Sequence, residues 1–221
     1  MVRKVLSVVG ARPNFIKLAA VDSLIRERFV HVVVHTGQHY DYEMSKIFFD
    51  QLSIPEPDYY LGVGSGSHGY QVGEMVKRCE EVILKERPDI VLVYGDTNST
   101  LAGALAAVKA GFRVAHVEAG LRSYDFEMPE EINRRVVDHI SHLLFAPTQN
   151  AVENLRKENV LGKIFLTGDV HVDVLTKWIE IAEENSHILE ELRLDNDEYV
   201  VVTIHRVENV ENPHVLKNIL M

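Results

Sequence analysis

Cysteine is nearly absent: Cys79 is the only one among 221 residues. An intrachain disulfide is therefore excluded, nothing in the composition asks for an oxidising compartment, and the cytoplasm is the expected location. Positive charge is also scarce. With 23 Lys+Arg against 33 Asp+Glu, the formal net charge is −10, which argues against a nucleic-acid partner held by its phosphates. Long apolar runs are missing too. None approaches the ~18 residues of a membrane span, so no membrane partner is expected. The start imitates a secretion signal, with Arg3 and Lys4 ahead of an apolar stretch from Val5 to Val9. That stretch is short, is broken by Ser7 and meets Arg12 almost at once, so it reads as a first strand. The chain holds no internal repeat and no low-complexity tract.

What is present is ordinary globular material, 46% hydrophobic and 25% charged, long enough to bury roughly 70% of its unfolded surface in one domain or one and a fraction. Short β-branched runs at 4–9, 30–35, 90–94, 114–118, 143–146 and 164–167 alternate with helical patterns near 14–28, 42–51, 70–87, 98–109, 129–142 and 150–158. That alternation predicts an α/β fold with a doubly wound parallel sheet, a Rossmann-like domain over residues 1–168. In such a sheet ligands collect beyond the carboxyl ends of the strands. After Gly168 the pattern changes to a long helix over 171–192, a polar turn, a strand over 199–204 and a helix beginning after Pro213. Residues 169–221 are expected to be a connecting helix and the incomplete beginning of a second Rossmann-like domain, because one strand and one helix cannot bury their own apolar face.

The post-strand segments carry the candidate chemistry. Gly10, Ala11, Arg12, Pro13 and Asn14 lie between the first strand and first helix, where free N–H groups favour an anion and Arg12 and Lys17 add positive charge. The segment His35-Thr36-Gly37-Gln38-His39 is a polar shelf; its paired histidines lack the thiolates or helical spacing of a metal centre, and no metal is expected. Asp96 and Glu118 follow two further strands, and Glu130 opens a helix just after Pro129. Each acid has an ordinary alternative: Asp96 or Asn98 as a helix cap, Glu130 as a dipole partner or as one half of an i,i+4 pair with Arg134. Three acids at the carboxyl ends of one sheet also fit general acid–base work, since carboxylates sharing a crevice separate in pKa. His205 and Arg206 end the 199–204 strand and offer a titrating ring and a phosphate grip. The run Gly64-Ser65-Gly66-Ser67-His68-Gly69 matches G-x-G-x-x-G, but neither a firm strand before it nor an acid at the end of a second strand supports an NAD site. It reads as a surface loop, and no cofactor is expected. Cys79, inside a helix and without a nearby orienting histidine, reads as a packing or surface thiol.

Taken together, GARPNFIK at 10–17, HTGQH at 35–39, YGDTNST at 94–100, HVEAGLRS at 116–123, MPEEINR at 128–134 and TIHRVEN at 203–209 resemble the non-hydrolysing UDP-N-acetylglucosamine 2-epimerases. The resemblance runs over essentially the whole chain. ARPNFIK, the Ser67-His68-Gly69 triplet and HRVEN look closest to the branch that acts on 2,3-diacetamido uronic acid nucleotides. It implies two Rossmann-like domains facing a cleft, as in the GT-B architecture, with a UDP-sugar substrate between them, and a homodimer is expected. Residue by residue, Asp96, Glu118, Glu130 and His205 match the family's catalytic set; Arg12, Lys17, Gln38 and Arg206 take the substrate-binding positions. The chain departs from many bacterial members at Tyr40-Asp41, where those have Arg and Gln, and at Val207, where they have a second Arg; there that region holds a second substrate molecule as activator. The family also runs to roughly twice a Rossmann unit, so the chain is expected to be partial, and the isolated 221 residues to bind UDP weakly with little or no turnover.

The implied chemistry accounts for the acids. Carbon 2 of a pyranosyl nucleotide has no carbonyl beside it, so inversion in this family proceeds by elimination of UDP to a 2-acetamidoglucal and re-addition with a proton on the other face. Two faces call for two proton-transfer groups, and the departing diphosphate calls for cations. A hydrolysing relative that releases UDP and N-acetylmannosamine, a non-catalytic sugar-nucleotide-binding remnant and a GT-B glycosyltransferase are the rivals.

Overall fold

The computed structural model describes residues 3–38, 42–194, 199–204 and 207–221, in two compact units, Met1–Lys177 and Trp178–Met221. The first unit is built on seven parallel strands: β1 (Lys4–Val9), β2 (Val30–His35), β3 (Tyr59–Tyr60), β4 (Ile90–Tyr94), β5 (Val114–Val117), β6 (Leu143–Ala146) and β7 (Lys163–Leu166). Their order is β3-β2-β1-β4-β5-β6-β7, a doubly wound α/β sheet whose winding reverses between β1 and β4. The central strands are Val- and Leu-rich because both faces are covered; in β1 every residue after Lys4 is buried.

Side-chain alternation shows the two covered faces on β1 itself. Ser7 points to the side of α1 (Arg12–Arg26), where it meets His31 and Tyr94. Val8 points the other way, so close to α4 (Asn98–Lys109) that a Cβ at Gly103 would come within 2.9 Å of it. On that second side Leu6, Val8, Val34, Val91 and Val93 pack with Ala104 and Ala107 of α4 and with Cys79 and Ile83 of α3 (His68–Glu86). Cys79 is a core thiol, and burial pushes its pKa up to about 12. The remaining helices of this unit are α2 (Tyr42–Gln51), α5 (Pro129–Ile140) and α6 (Gln149–Lys157); α7 (Val170–Asn185) runs across the boundary into the second unit.

Several sequence expectations need correction. The strand at 114–118 ends at Val117, because Glu118 turns out of it with a φ of 72°. The two-residue β3 beside β2 was not foreseen; it pairs Val34 with Tyr59 and His35 with Tyr60, too short a segment to show a period. The helix expected over 171–192 is two helices, α7 and α8 (Ile188–Leu192), broken at Ser186-His187. Neither helix buries a residue, so nothing offsets the weak helix propensity of the Asn185-Ser186-His187 run. Residues 199–204 form no strand among the described residues; Val200 and Val201 are each 85% exposed. A β-branched run without a neighbouring ladder has nothing to pair with. Two short helices, α9 (Val207–Val210) and α10 (Pro213–Leu220), complete the second unit.

Candidate active site

The loops after β1, β2, β4 and β5 meet where the winding reverses, the position at which open α/β sheets bind ligands. Asn14, fully buried in the first turn of α1, ties the first loop to the third: its Oδ1 accepts from the backbone of Gly10 and Ala11 at 3.2 and 3.1 Å, and its Nδ2 donates to the Tyr94 carbonyl at 2.8 Å. Gly10 is required by close approach, because a Cβ there would collide with the hydroxyls of Thr36 and Ser99. Gln38 closes the shelf after β2. Its Oε1 accepts from the Ser99 backbone at 3.0 Å and from the Ser99 hydroxyl at 2.7 Å, so the start of α4 holds the amide by its oxygen.

Within this frame Lys17 and Glu118 meet at 2.9 Å with side chains only 4% and 11% exposed. The left-handed backbone of Glu118, uncommon for a residue with a side chain, accompanies this placement. Gly95 passes beside the pair at a φ of 64°, and a Cβ there would stand 2.7 Å from Lys17 Nζ and 3.4 Å from Glu118 Oε1. Asp96 follows immediately, gripped by Arg134 at 2.6 and 3.1 Å. Arg134 therefore serves Asp96, and also lies 3.5 Å from Glu131, so the anticipated Glu130–Arg134 pairing is not formed. The helix cap, the alternative role considered for Asp96 or Asn98, belongs to Thr97, whose hydroxyl accepts from the Thr100 backbone.

A second layer of charge fixes these loops from behind. His116, fully buried on β5, donates from Nε2 to the Gly95 carbonyl at 2.7 Å and pairs through Nδ1 with Asp138 at 2.7 Å. Asp138 also meets Arg122 at 2.7 Å and the Gly120 backbone at 3.1 Å. Burial pushes the Asp138 carboxyl up, but His116 and Arg122 outweigh it and hold the pKa below the usual value. Glu131 behaves similarly: burial opposes its charge, while the Ser123 N–H, Arg135 and the Ser123 hydroxyl lower its pKa. From α5, Asn133 reaches the Asp96 carbonyl at 2.7 Å.

Of the residues singled out from the sequence, the fold brings Lys17, Asp96 and Glu118 together at the reversal point and places Gln38 on the neighbouring shelf. Arg12 is exposed at the first turn of α1, and Glu130 is exposed at the start of α5. His205 and Arg206 lie outside the described residues, as do Tyr40 and Asp41. The glycine run at 64–69 leads into α3, whose cap is Ser67. Sequence reasoning missed Asn14, Glu131, Arg134 and Asp138, which position the loops, and also Asp169 and His171. The last two approach Glu118 from the start of α7: His171 Nδ1 lies 2.7 Å from Asp169 Oδ1 and 3.5 Å from Glu118 Oε2. Glu118, Asp169 and His171 are ligand types that converge within 4.8 Å, but the Lys17 ammonium already on Glu118 disfavours a cation there.

A family model described as UDP-N-acetylglucosamine 2-epimerase matches residues 23–221. The chain belongs to the UDP-N-acetylglucosamine 2-epimerase family. It is 55% identical over 98% of its length to the UDP-N-acetylglucosamine 2-epimerase homolog of Methanococcus maripaludis, and 46% identical over 98% to the UDP-2,3-diacetamido-2,3-dideoxy-D-glucuronate 2-epimerase of Pseudomonas aeruginosa. Among solved structures, the Methanocaldococcus jannaschii UDP-GlcNAc 2-epimerase in complex with UDP-GlcNAc and UDP matches the whole chain with a TM-score of 0.88 and 47% identity. The chain spans 61% of the length of each of these three relatives. In this 2-epimerase family setting, the seven-stranded sheet described above is the shared fold. No helix among the described residues is long and apolar enough to cross a membrane.

Proposed function

We propose that the protein carrying this chain is a UDP-N-acetylhexosamine 2-epimerase that works by elimination and re-addition of UDP. The observation that supports this reading is the meeting of Lys17 with Glu118 beside Asp96, two carboxylates and a cation at the point where the sheet reverses. One carboxylate takes the proton from carbon 2 as the bond from carbon 1 to the diphosphate oxygen breaks, giving UDP and a 2-acetamidoglucal. UDP then returns to carbon 1 while a proton is delivered to the opposite face of carbon 2. Asp96, Glu118, Glu130 and His205 are the proposed proton-transfer and charge-stabilising groups, and Arg12, Lys17, Gln38 and Arg206 the proposed substrate contacts.

Residues 1–168 are the proposed first Rossmann-like domain and 169–221 the proposed opening of a second, in a GT-B arrangement; a homodimer in the cytoplasm completes the proposal. UDP-GlcNAc and its 3-acetamido uronic derivative are both candidate substrates, since relatives named for each resemble the chain. Turnover in heavy water tests the mechanism against removal and return of a hydride at carbon 2. Elimination requires deuterium at carbon 2 of the product, and retention of the original hydrogen there would overturn the proposal. Free UDP accumulating in step with N-acetylmannosamine would instead favour the hydrolysing relative.

A further inference from the structure

Inversion at a carbon that bears hydrogen leaves a two-sided site in the wrong state. The group that took the proton now holds it, and the group that supplied the new proton on the other face has lost one. Before a second turnover in the same direction, one must release a proton to water and the other regain one. A proton-transfer group that is shut away from water therefore needs a route to it.

Glu118 is shut away. Its Oε1 is covered by Lys17 at 2.9 Å, its side chain is only 11% exposed, and the lysine itself is 4% exposed. Its other oxygen faces His171. The ring stands at the start of α7 with its side chain 42% exposed, so one edge meets the site and the other meets solvent. Asp169 fixes the inner edge twice, accepting from the His171 backbone N–H at 2.9 Å and lying 2.7 Å from the ring Nδ1. Burial raises the Asp169 pKa, but the His171 backbone and ring bonds, the ring charge and Lys17 together hold it below its usual value. An ionised Asp169 accepts only, so Nδ1 carries the hydrogen and gives it to Asp169 Oδ1, while Glu118 Oε2 stands 3.5 Å from the same nitrogen. Nε2 is left at the outer edge to exchange with water.

We propose that His171, oriented by Asp169, is the proton relay that resets Glu118 between turnovers; this rests on the epimerase reading above. Water protonates Nε2, the imidazolium passes its Nδ1 proton to Glu118 Oε2, and the neutral ring, its proton now on Nε2, regains the Nδ1–H form when a proton from water, carried by the 43%-exposed Asp169, reaches Nδ1 and Nε2 releases one. Run backwards, the carboxylic acid of Glu118 returns its proton to Nδ1 and Nε2 releases one to water. No bond other than these N–H and O–H bonds is made or broken. The groups facing this exchange are Lys17 from α1, Asp169 ahead of α7 and Glu118 itself, with Asp96 on the adjoining loop paired to Arg134. His171 is thus a positioning and exchange residue for Glu118, and contact with the sugar is not required of it.

The test compares the full-length protein with its His171→Ala and His171→Asn variants in dilute, non-imidazole buffer, measuring kcat and KM for the UDP-sugar. Asparagine can keep a hydrogen bond to Asp169 but cannot carry a proton through. Both variants are expected to lose roughly 10²-fold in kcat with KM unchanged, the lower end of what proton-transfer help contributes. Added imidazole should restore the kcat of His171→Ala in proportion to its concentration. Wild-type kcat in either variant, a loss confined to KM, recovery in His171→Asn, or failure of imidazole to rescue His171→Ala would each overturn the relay. Those outcomes leave an active wild-type enzyme and the epimerase reading intact; a wild-type protein that binds the UDP-sugar but never epimerises it would overturn the reading and the relay together.

Discussion

A carboxylate that moves a proton needs a fixed address, and Glu118 gets one from three directions: a left-handed backbone, the Lys17 ammonium on one oxygen and His171 near the other. Replacing Glu118 by Gln, or Asp96 by Asn, preserves size and removes the proton. Each is expected to lower kcat by ~10²–10⁴-fold while changing KM little, because the help is given in the transition state. Steady-state kinetics with an unchanged thermal transition would support this; a variant that changes only KM would point to ground-state binding or loop positioning instead. Gly95→Ala probes the same spot through the backbone. Its Cβ would sit 2.7 Å from Lys17 Nζ at a φ of 64°, so the substitution should separate the Lys17–Glu118 pair and reduce activity more than it reduces the melting temperature.

At the scale of elements, the buried charges of α5 and β5 make the loop positions depend on one carboxylate. Asp138→Asn removes the fully buried carboxylate shared by Arg122 and His116, but Arg122 keeps Glu158 at 2.7 and 2.8 Å, so the loss should fall below the roughly 3–5 kcal/mol of an uncompensated buried charge. The pH dependence has a definite sign. Because the folded Asp138 pKa lies below its unfolded value, its contribution is complete above the ordinary carboxylate range and is lost as pH falls below ~4. Urea unfolding between pH ~5 and ~3 should show a shallower loss of stability in Asp138→Asn than in the wild type. The sequence disclosed these elements unevenly, for physical reasons. Strands β1, β2 and β4 were legible because burial on both faces forces continuous β-branched runs. Strand β3 was invisible at two residues, and 199–204 looked like a strand because β-propensity reports side chains and not partners. Asp96 and Glu118 could be found because they follow strands. Glu131 was overlooked beside Glu130, although its spacing of seven from Asp138 puts both acids on one helical face, the only hint that they were buried clamps. Asp169 and His171 share the post-strand signal, but nothing in the linear sequence shows that α7 begins against Glu118.

For the whole molecule, stability and site have the same source. The apolar core, the seven strands and every described residue of the candidate site lie within Met1–Lys177. In Trp178–Met221 no described residue is buried, and Leu192, Val200, Val201 and Leu220 are exposed. A segment of that length is close to the roughly 40-residue limit for chains that fold unaided, and without buried residues it has no core to hold it. A polypeptide ending at Lys177 keeps the first half of α7, and with it Asp169 and His171, so it should unfold in one cooperative transition at the temperature of the 221-residue chain. The detached 178–221 segment should show no cooperative transition of its own. Calorimetry on the two fragments and the 221-residue chain measures both expectations. Since ~1 kcal/mol shifts the midpoint of a domain this size by about 2–4 °C, a larger fall in the shorter polypeptide would show that residues beyond Lys177 stabilise the first unit by more than that, and would remove the basis for treating the sheet as self-sufficient.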